Sequence, residues 1–196
     1  HQLVIKWEAF NSGSSEEEIM ARMQKNWQVM QDSIEQGLLN REPTMGGLVN
    51  HDASKVYQAV SAGIVRNDRL SKILYRALAV SEFNAAMGCI VAAPTAGACG
   101  ILPAVISTVA EENNSSEERI IESLFIAAGI GQVIAAKASI SGAEGGCQAE
   151  CGSAAAMAAG AAVHLLGGKP AQVFEAVALA MKNSLGLVCD PVAGLV

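Results

Sequence analysis

Hydrophobic residues recur every three or four positions along most of this chain, which is the spacing of α-helices that bury one face. The clearest stripe comprises Ile19, Met23, Met30 and Ile34, with Trp27 close to it. No alternation of apolar and polar residues with a period of two extends over any length, and runs of β-branched residues are short. The pattern therefore predicts an all-α fold, a compact multi-helix domain of roughly six to eight helices.

Capping residues, prolines and glycines indicate where these helices start and end. Ser15 and Glu18 form the pattern of a capping box at the start of the first long helix, and Gly37 is its predicted end. A loop with Pro43, Gly46 and Gly47 follows, and two helices are predicted after it, at about 53–64 and 70–87, the second capped by Asp68. The next predicted helix runs from Pro103 to near Glu112, and another runs from a Ser115/Glu118 capping box to about Ala138. The last two are a helix at 149–166, ended by Gly167 and Gly168, and one that begins at Pro170 and ends by Gly186.

The length of 196 residues is that of one ordinary domain, with or without an arm. Residues 1–13 hold a short apolar run before Gly13 and are predicted to form an N-terminal arm, so residues 14–196 are the domain. The chain begins with His1 rather than Met and stops at Val196 within a Gly-rich segment. We expect native sequence to be missing at the C-terminus and at the front as well.

Composition and charge narrow the possible partners. The chain is 51% hydrophobic, 4% aromatic and 16% charged, which suits helices packed closely through small side chains. Its mean hydropathy of +0.31 predicts that much surface is buried against a partner domain or subunit, in a homo- or hetero-oligomer. The net charge of −6 and the lack of a basic run argue against a nucleic-acid partner.

A membrane or secreted location is not predicted either. Polar residues interrupt the two most apolar stretches, Glu122 and Gln132 in one and His164 in the other, so neither is expected to span a membrane. Five cysteines in a chain without a visible secretory signal indicate reduced thiols and a cytoplasmic location.

Two cysteines, Cys147 and Cys189, each stand in a Gly-rich setting. Glycine lets backbone N–H groups approach a bulky anionic centre, and thiolates are the ligands of iron–sulfur clusters. The alternative interpretation is that both are small buried hydrophobic residues. A zinc site is disfavoured because the chain has no C-x-x-C pair and few histidines. Cys151 would share a helix face with Cys147, but a packed thiol is the favoured interpretation, and Cys89 and Cys99 are interpreted as structural.

Two Gly-rich segments can contribute a substrate site. The first, residues 93–100, offers Thr95, Gly97 and Gly100 ahead of a helix N-terminus, where backbone N–H groups favour anions; a hinge between two packed helices explains the same residues equally well. In the second segment, Ser139 and Ser141 precede Glu144, which is either an acid–base or orienting group or a surface residue that bonds loop amides. His51 and His164 are weak candidates, with His164 interpreted as a packing residue, and the methionines of the first long helix are interpreted as core or interface residues. No P-loop, G-x-S-x-G or H-E-x-x-H motif is present.

Taken together, four segments resemble the α domain of the bacterial iron–sulfur-dependent L-serine dehydratases (L-serine ammonia-lyases). They lie in the order of that family, and looser similarity covers nearly the whole chain. The segments are Asn84-Ala-Ala-Met-Gly88, Ala93-Pro-Thr-Ala-Gly-Ala-Cys-Gly-Ile-Leu-Pro103, Ala138-Ser-Ile-Ser-Gly-Ala-Glu-Gly-Gly-Cys-Gln148 and Leu185-Gly-Leu-Val-Cys-Asp-Pro-Val-Ala-Gly-Leu-Val196.

The resemblance implies a [4Fe–4S] cluster held by three cysteines, of which Cys147 matches the first and Cys189 the second. In the family the third ends a longer version of the last motif, four residues beyond Val196. The resemblance therefore implies that this chain alone lacks a ligand, and we expect it to hold no cluster and to be inactive. It also implies a β domain as partner, fused upstream or carried by a separate subunit.

The implied reaction is the deamination of L-serine to pyruvate and ammonia. Three thiolates on four irons leave one iron with an open coordination position, which can act as a Lewis acid on the β-hydroxyl while a base removes the α-proton. Thr95, Gly97, Gly100, Ser139, Ser141 and Glu144 are the predicted substrate-binding residues. The base is not identified by any residue pattern in this chain. Two other functional classes stay open. One is a cluster-dependent lyase that acts on cysteine or another amino acid, and the other is a non-catalytic helical module that assembles with a partner.

Overall fold

The structure, a computed structural model, describes residues 1–40, 44, 47 and 49–187. Over these residues the chain forms eight α-helices and one short 3₁₀ helix, with no strand, so the predicted all-α fold is confirmed. The helices are α1 (Gln2–Ser12), α2 (Glu16–Leu39), α3 (Asp52–Ser61), α4 (Arg69–Ala85), α5 (Ile101–Asn113), α6 (Glu117–Lys137), α7 (Gly142–Leu165) and α8 (Pro170–Ser184), and the 3₁₀ helix is Ala96–Ala98.

Helices α6 and α7 form the centre of the domain, with α5 and α8 packed against α7 and with α2 bridging α4 and α6. Ile106, Ile121 and Leu124 are the largest fully buried side chains. Helix α6 is long and apolar enough to cross a membrane by length and composition alone. Its buried residues lie in the main hydrophobic cluster, so packing within the domain accounts for its apolar character.

The N-terminal segment predicted to be an arm is helix α1, which packs against α2 and α6. Ile5 is buried in the main core, and the side chain of Val4 contacts α6 near Gly129. Only part of its short apolar run faces the domain, because Leu3 and Trp7 are 84% and 53% exposed. The division of the chain into residues 1–13 and 14–196 stays a prediction.

The capping signals placed most helix starts correctly. The Ser15/Glu18 capping box is confirmed, with Glu18 N donating to Ser15 Oγ at 3.1 Å and Ser15 N donating to Glu18 Oε2 at 2.9 Å. Asp68 caps α4: its carboxylate accepts a hydrogen bond from Ser71 N, and this bond lowers the pKa of the Asp68 carboxyl group. The predicted Ser115/Glu118 box is wrong, because Ser116 is the N-cap of α6.

The structure differs from the predicted pattern at Gly37 and at the start of α7. Gly37 lies inside α2, not at its end, and is buried where α2 crosses α4: a Cβ atom there would be 2.5 Å from the carbonyl carbon of Ala79. The helix predicted at 149–166 begins earlier, because α7 starts at Gly142, and it is interrupted only at Gly146 (φ 72°, ψ 179°). Of the predicted loop before α3, Pro43 and Gly46 lie outside the described residues.

Candidate functional site

The two Gly-rich segments meet at the carboxylate of Glu150, on α7. Thr95 Oγ1 donates a hydrogen bond to Glu150 Oε2. Gly97 and Gly142 lie against the same group, since a Cβ atom at Gly97 would be 3.0 Å from Glu150 Cδ and one at Gly142 would be 2.8 Å from it. The fold thus brings the segment around Thr95 and the first turn of α7 together around one half-buried carboxylate.

Glu150 is a functional candidate that the motifs did not single out. The signal present in the sequence is a carboxylate among the alanines, glycines and other small residues of α7. A charged side chain at such a position needs hydrogen-bond partners, because burial without them is costly. Its partner comes from a segment 55 positions away along the chain, so spacing alone could not identify the pair.

The predicted residues Ser139, Ser141 and Glu144 form one connected group at the start of α7. Ser139 Oγ donates to Glu144 Oε2 at 2.5 Å and accepts a hydrogen bond from Ser141 N at 3.1 Å. Ser141 directly precedes Gly142, which lies against Glu150. The group therefore adjoins the Thr95–Glu150 contact, although its part in substrate binding stays a prediction.

Helix α4 supports the first segment from the other side. Asn84 Nδ2 donates to the carbonyl oxygen of Ala96 at 3.3 Å. Gly100 is buried against α4, where a Cβ atom would lie 3.0 Å from Ser81 Oγ and 3.1 Å from the carbonyl carbon of Ala77. The contacts of Gly100 are those of close helix packing, and its predicted role in substrate binding stays a prediction.

Cys147 is half-buried and directly follows Gly146, the residue at which α7 departs from helical geometry. The positive φ of Gly146 is a conformation that favours glycine, so this residue sets the direction in which the helix resumes at Cys147. Cys147 and Glu150 are three positions apart, and residues at that spacing lie on one side of a helix. Cys189 lies outside the described residues, so its predicted proximity to Cys147 stays a prediction.

The other three cysteines differ in exposure. Cys99 is buried, as expected for a structural thiol, and burial raises the pKa of that thiol to about 11. Cys89 is exposed, which contradicts its interpretation as a structural thiol. Cys151 is also exposed, so its interpretation as a packed thiol is wrong, whereas its neighbours Gly152 and Ser153 are buried.

A second group of possible metal ligands lies where α1, α6 and α7 meet. The Nε2 atoms of His1 and His164 each lie 3.4 Å from an oxygen of the Glu122 carboxylate. Arg119 Nη1 donates to that carboxylate at 2.8 Å, and burial lowers the pKa of His164. Because the guanidinium of Arg119 already compensates the carboxylate, we assign this group to helix packing, in line with the prediction for His164.

Comparison with known proteins places the chain in a family. The sequence matches the family model described as serine dehydratase alpha chain over residues 1–196. It is 43% identical to the L-serine dehydratase alpha chain of Peptoniphilus asaccharolyticus, over 100% of this chain and 68% of that protein. It is 45% identical to the probable L-serine dehydratase alpha chain of Bacillus subtilis (strain 168), over 93% of this chain and 61% of that protein.

A longer relative shows the same similarity. The chain is 48% identical to L-serine dehydratase TdcG of Escherichia coli (strain K12), over 93% of this chain but only 41% of that protein. The chain therefore spans between about two fifths and two thirds of the length of these relatives. The extent of the match and the level of identity show that this chain belongs to the serine dehydratase alpha chain family.

Proposed function

We propose that this chain is the α part of an enzyme that converts L-serine to pyruvate and ammonia. The observation that carries the proposal is the meeting of both Gly-rich segments at Glu150, one helical turn from Cys147. The Cys147 thiol, two hydroxyl-bearing segments and a carboxylate are thereby gathered at one end of α7. Membership of the serine dehydratase alpha chain family supports the same reaction.

The proposed cofactor is a [4Fe–4S] cluster with Cys147 and Cys189 as ligands and a third cysteine beyond Val196. The described donor fits this group. Cys147 begins the part of α7 that follows the interruption at Gly146, and a thiolate near a helix N-terminus is stabilised by the helix dipole. When bound, such a cluster supplies a Lewis-acidic iron with an open position for the β-hydroxyl of serine.

The hydroxyl groups of this chain are suited to bind the ammonium group of the substrate. A hydroxyl has one proton to donate, and those of Thr95 and Ser139 go to the carboxylates of Glu150 and Glu144. Ser139 Oγ also accepts from Ser141 N, so one of its lone pairs is used, while both lone pairs of Thr95 Oγ1 remain for donors. The substrate ammonium group has three N–H donors. We propose that Thr95 Oγ1 and the remaining lone pair of Ser139 Oγ accept from this ammonium group, while backbone N–H groups near Gly97 and in the first turn of α7 bind the carboxylate.

The complete enzyme is proposed to pair this domain with a serine dehydratase β domain, fused or separate, within a cytoplasmic homo- or hetero-oligomer. Apolar side chains on α8 support an interface, since Phe174 and Leu179 are 67% and 61% exposed. The relatives' alpha chain names support the existence of a partner chain.

The test is pyruvate release by the full-length protein after anaerobic reconstitution with iron and sulfide. We expect pyruvate from L-serine, and we expect activity to be lost in air as the exposed iron is oxidised. L-threonine and L-cysteine are tested in parallel at equal concentrations. Release from cysteine but not serine would instead indicate the related lyase, and cluster-free protein with full turnover would contradict the proposed mechanism.

A further inference from the structure

The Glu150 side chain occupies a space that both Gly-rich segments leave open. At Gly97 and at Gly142, added Cβ atoms would come within 3.0 Å and 2.8 Å of its Cδ atom. At the same carboxyl group, Oε2 accepts a hydrogen bond from the Thr95 hydroxyl. The contact with Glu150 therefore explains why glycine stands at positions 97 and 142 and why a hydroxyl-bearing residue stands at position 95.

The direction of this hydrogen bond fixes the orientation of the Thr95 hydroxyl. An ionised carboxylate only accepts hydrogen bonds, so Thr95 must donate to it, and both lone pairs of Thr95 Oγ1 are left to face away from Glu150. Asn84 holds the neighbouring residue Ala96 through its carbonyl oxygen, at 3.3 Å. The segment is therefore held at one point by α4 and at another by α7.

We infer that Glu150 is a positioning residue that fixes the segment at Thr95–Gly97 to α7 and directs the Thr95 hydroxyl toward the substrate. This inference rests on the proposed function for what the site binds, but the contact itself does not depend on it. Glu150 acts through Thr95 and does not touch the substrate. A misplacement of about 1 Å in such a site lowers kcat/KM by about a hundredfold.

The test uses full-length protein, reconstituted anaerobically, with single substitutions at both ends of the hydrogen bond. We expect Glu150→Ala and Thr95→Val each to lower kcat/KM for L-serine by about a hundredfold, mainly through KM, with unchanged iron and sulfide content per chain. Glu150→Gln and Thr95→Ser preserve an acceptor and a donor, respectively, so both should retain most of the activity. Asp32→Ala, which removes an exposed carboxylate on α2, is the control and should match the wild type.

A thermal-unfolding double-mutant cycle measures the contact without relying on activity. Because both single variants break the same hydrogen bond, we expect the Thr95→Val/Glu150→Ala protein to melt no lower than the less stable of the two. Additive losses in melting temperature would overturn the contact. If Glu150→Gln were as inactive as Glu150→Ala, the charge itself would be required and the positioning role would be wrong. If wild-type protein released no pyruvate while the cycle still showed coupling, only the proposed function would fail.

Discussion

At the scale of single residues, solvent exposure distinguishes Cys99 from Cys89 more clearly than the sequence around each of them does. Cys99 is 1% exposed, and burial raises the pKa of its thiol to about 11, so almost no thiolate exists at neutral pH. Cys89 is exposed. We expect iodoacetamide at pH 8 to label Cys89 quickly and Cys99 only after unfolding, as measured by mass spectrometry of peptides. Fast labelling of Cys99 in the folded protein would contradict its burial.

The proposed ligand role of two cysteines gives a second test at the level of residues. We expect Cys147→Ala or Cys189→Ala in the full-length, reconstituted protein to abolish both the brown colour of the cluster and pyruvate formation. Metal sites bind with all their ligands together, so the loss of one thiolate weakens the whole site. Cys151→Ala is the matched control from the same helix and should retain most of the iron and turnover. Full turnover by either ligand variant would show that the cluster does not carry the reaction.

The contact between α2 and α4 shows how one small residue determines the spacing of two elements. At Gly37 the two helices approach so closely that a Cβ atom would lie 2.5 Å from the carbonyl carbon of Ala79. Backbone atoms cannot move aside as a flexible side chain can. The Gly37 position therefore requires glycine, although glycine in a helix interior costs about 0.5–1 kcal/mol relative to alanine.

We expect Gly37→Ala to lower the free energy of unfolding by about 1–3 kcal/mol, because it overpacks the helix contact. Gly152→Ala in α7 is the matched control, since its Cβ atom would lie 3.4 Å from Ser184 Cβ, an ordinary contact distance. There the better helix propensity of alanine should leave stability unchanged or raise it by up to about 1 kcal/mol. Urea unfolding followed by circular dichroism measures both, and equal effects at the two positions would rule out the close approach at Gly37.

For the whole molecule, the proposed cluster requires more chain than residues 1–196. We expect this segment, purified alone, to contain no iron and to release no pyruvate from L-serine, because one of the three proposed thiolates and the proposed β domain lie outside residues 1–196. Iron analysis and a coupled pyruvate assay measure both quantities, with the reconstituted full-length protein as the positive control. A stoichiometric cluster on residues 1–196 would contradict the proposed three-cysteine ligand set.

Hydrophobic periodicity and capping residues predicted most of the helices of this protein and several of their starting residues. Helix α2 begins at the Ser15/Glu18 capping box and α4 begins after Asp68, because capping satisfies backbone groups within a few residues and needs no distant partner. The same local rule favoured Ser115, because Glu118 stands three positions after it, but the helix begins after Ser116, whose Oγ accepts from Arg119 N. Local patterns did not show that residues 1–13, the predicted arm, contain a helix with Ile5 buried against the rest of the domain, because that packing involves distant parts of the chain.

The sequence by itself determined the helical class, the Gly-rich segments and the family, because periodicity and motifs are properties of neighbouring positions. Only the tertiary structure decided which residues meet. Glu150 contacts Thr95 and Gly97 because α7 passes beside the segment that precedes α5, and Gly37 faces Ala79 because α2 crosses α4. Such contacts depend on how helices pack, and packing is decided by the shapes of surfaces assembled from distant parts of the chain.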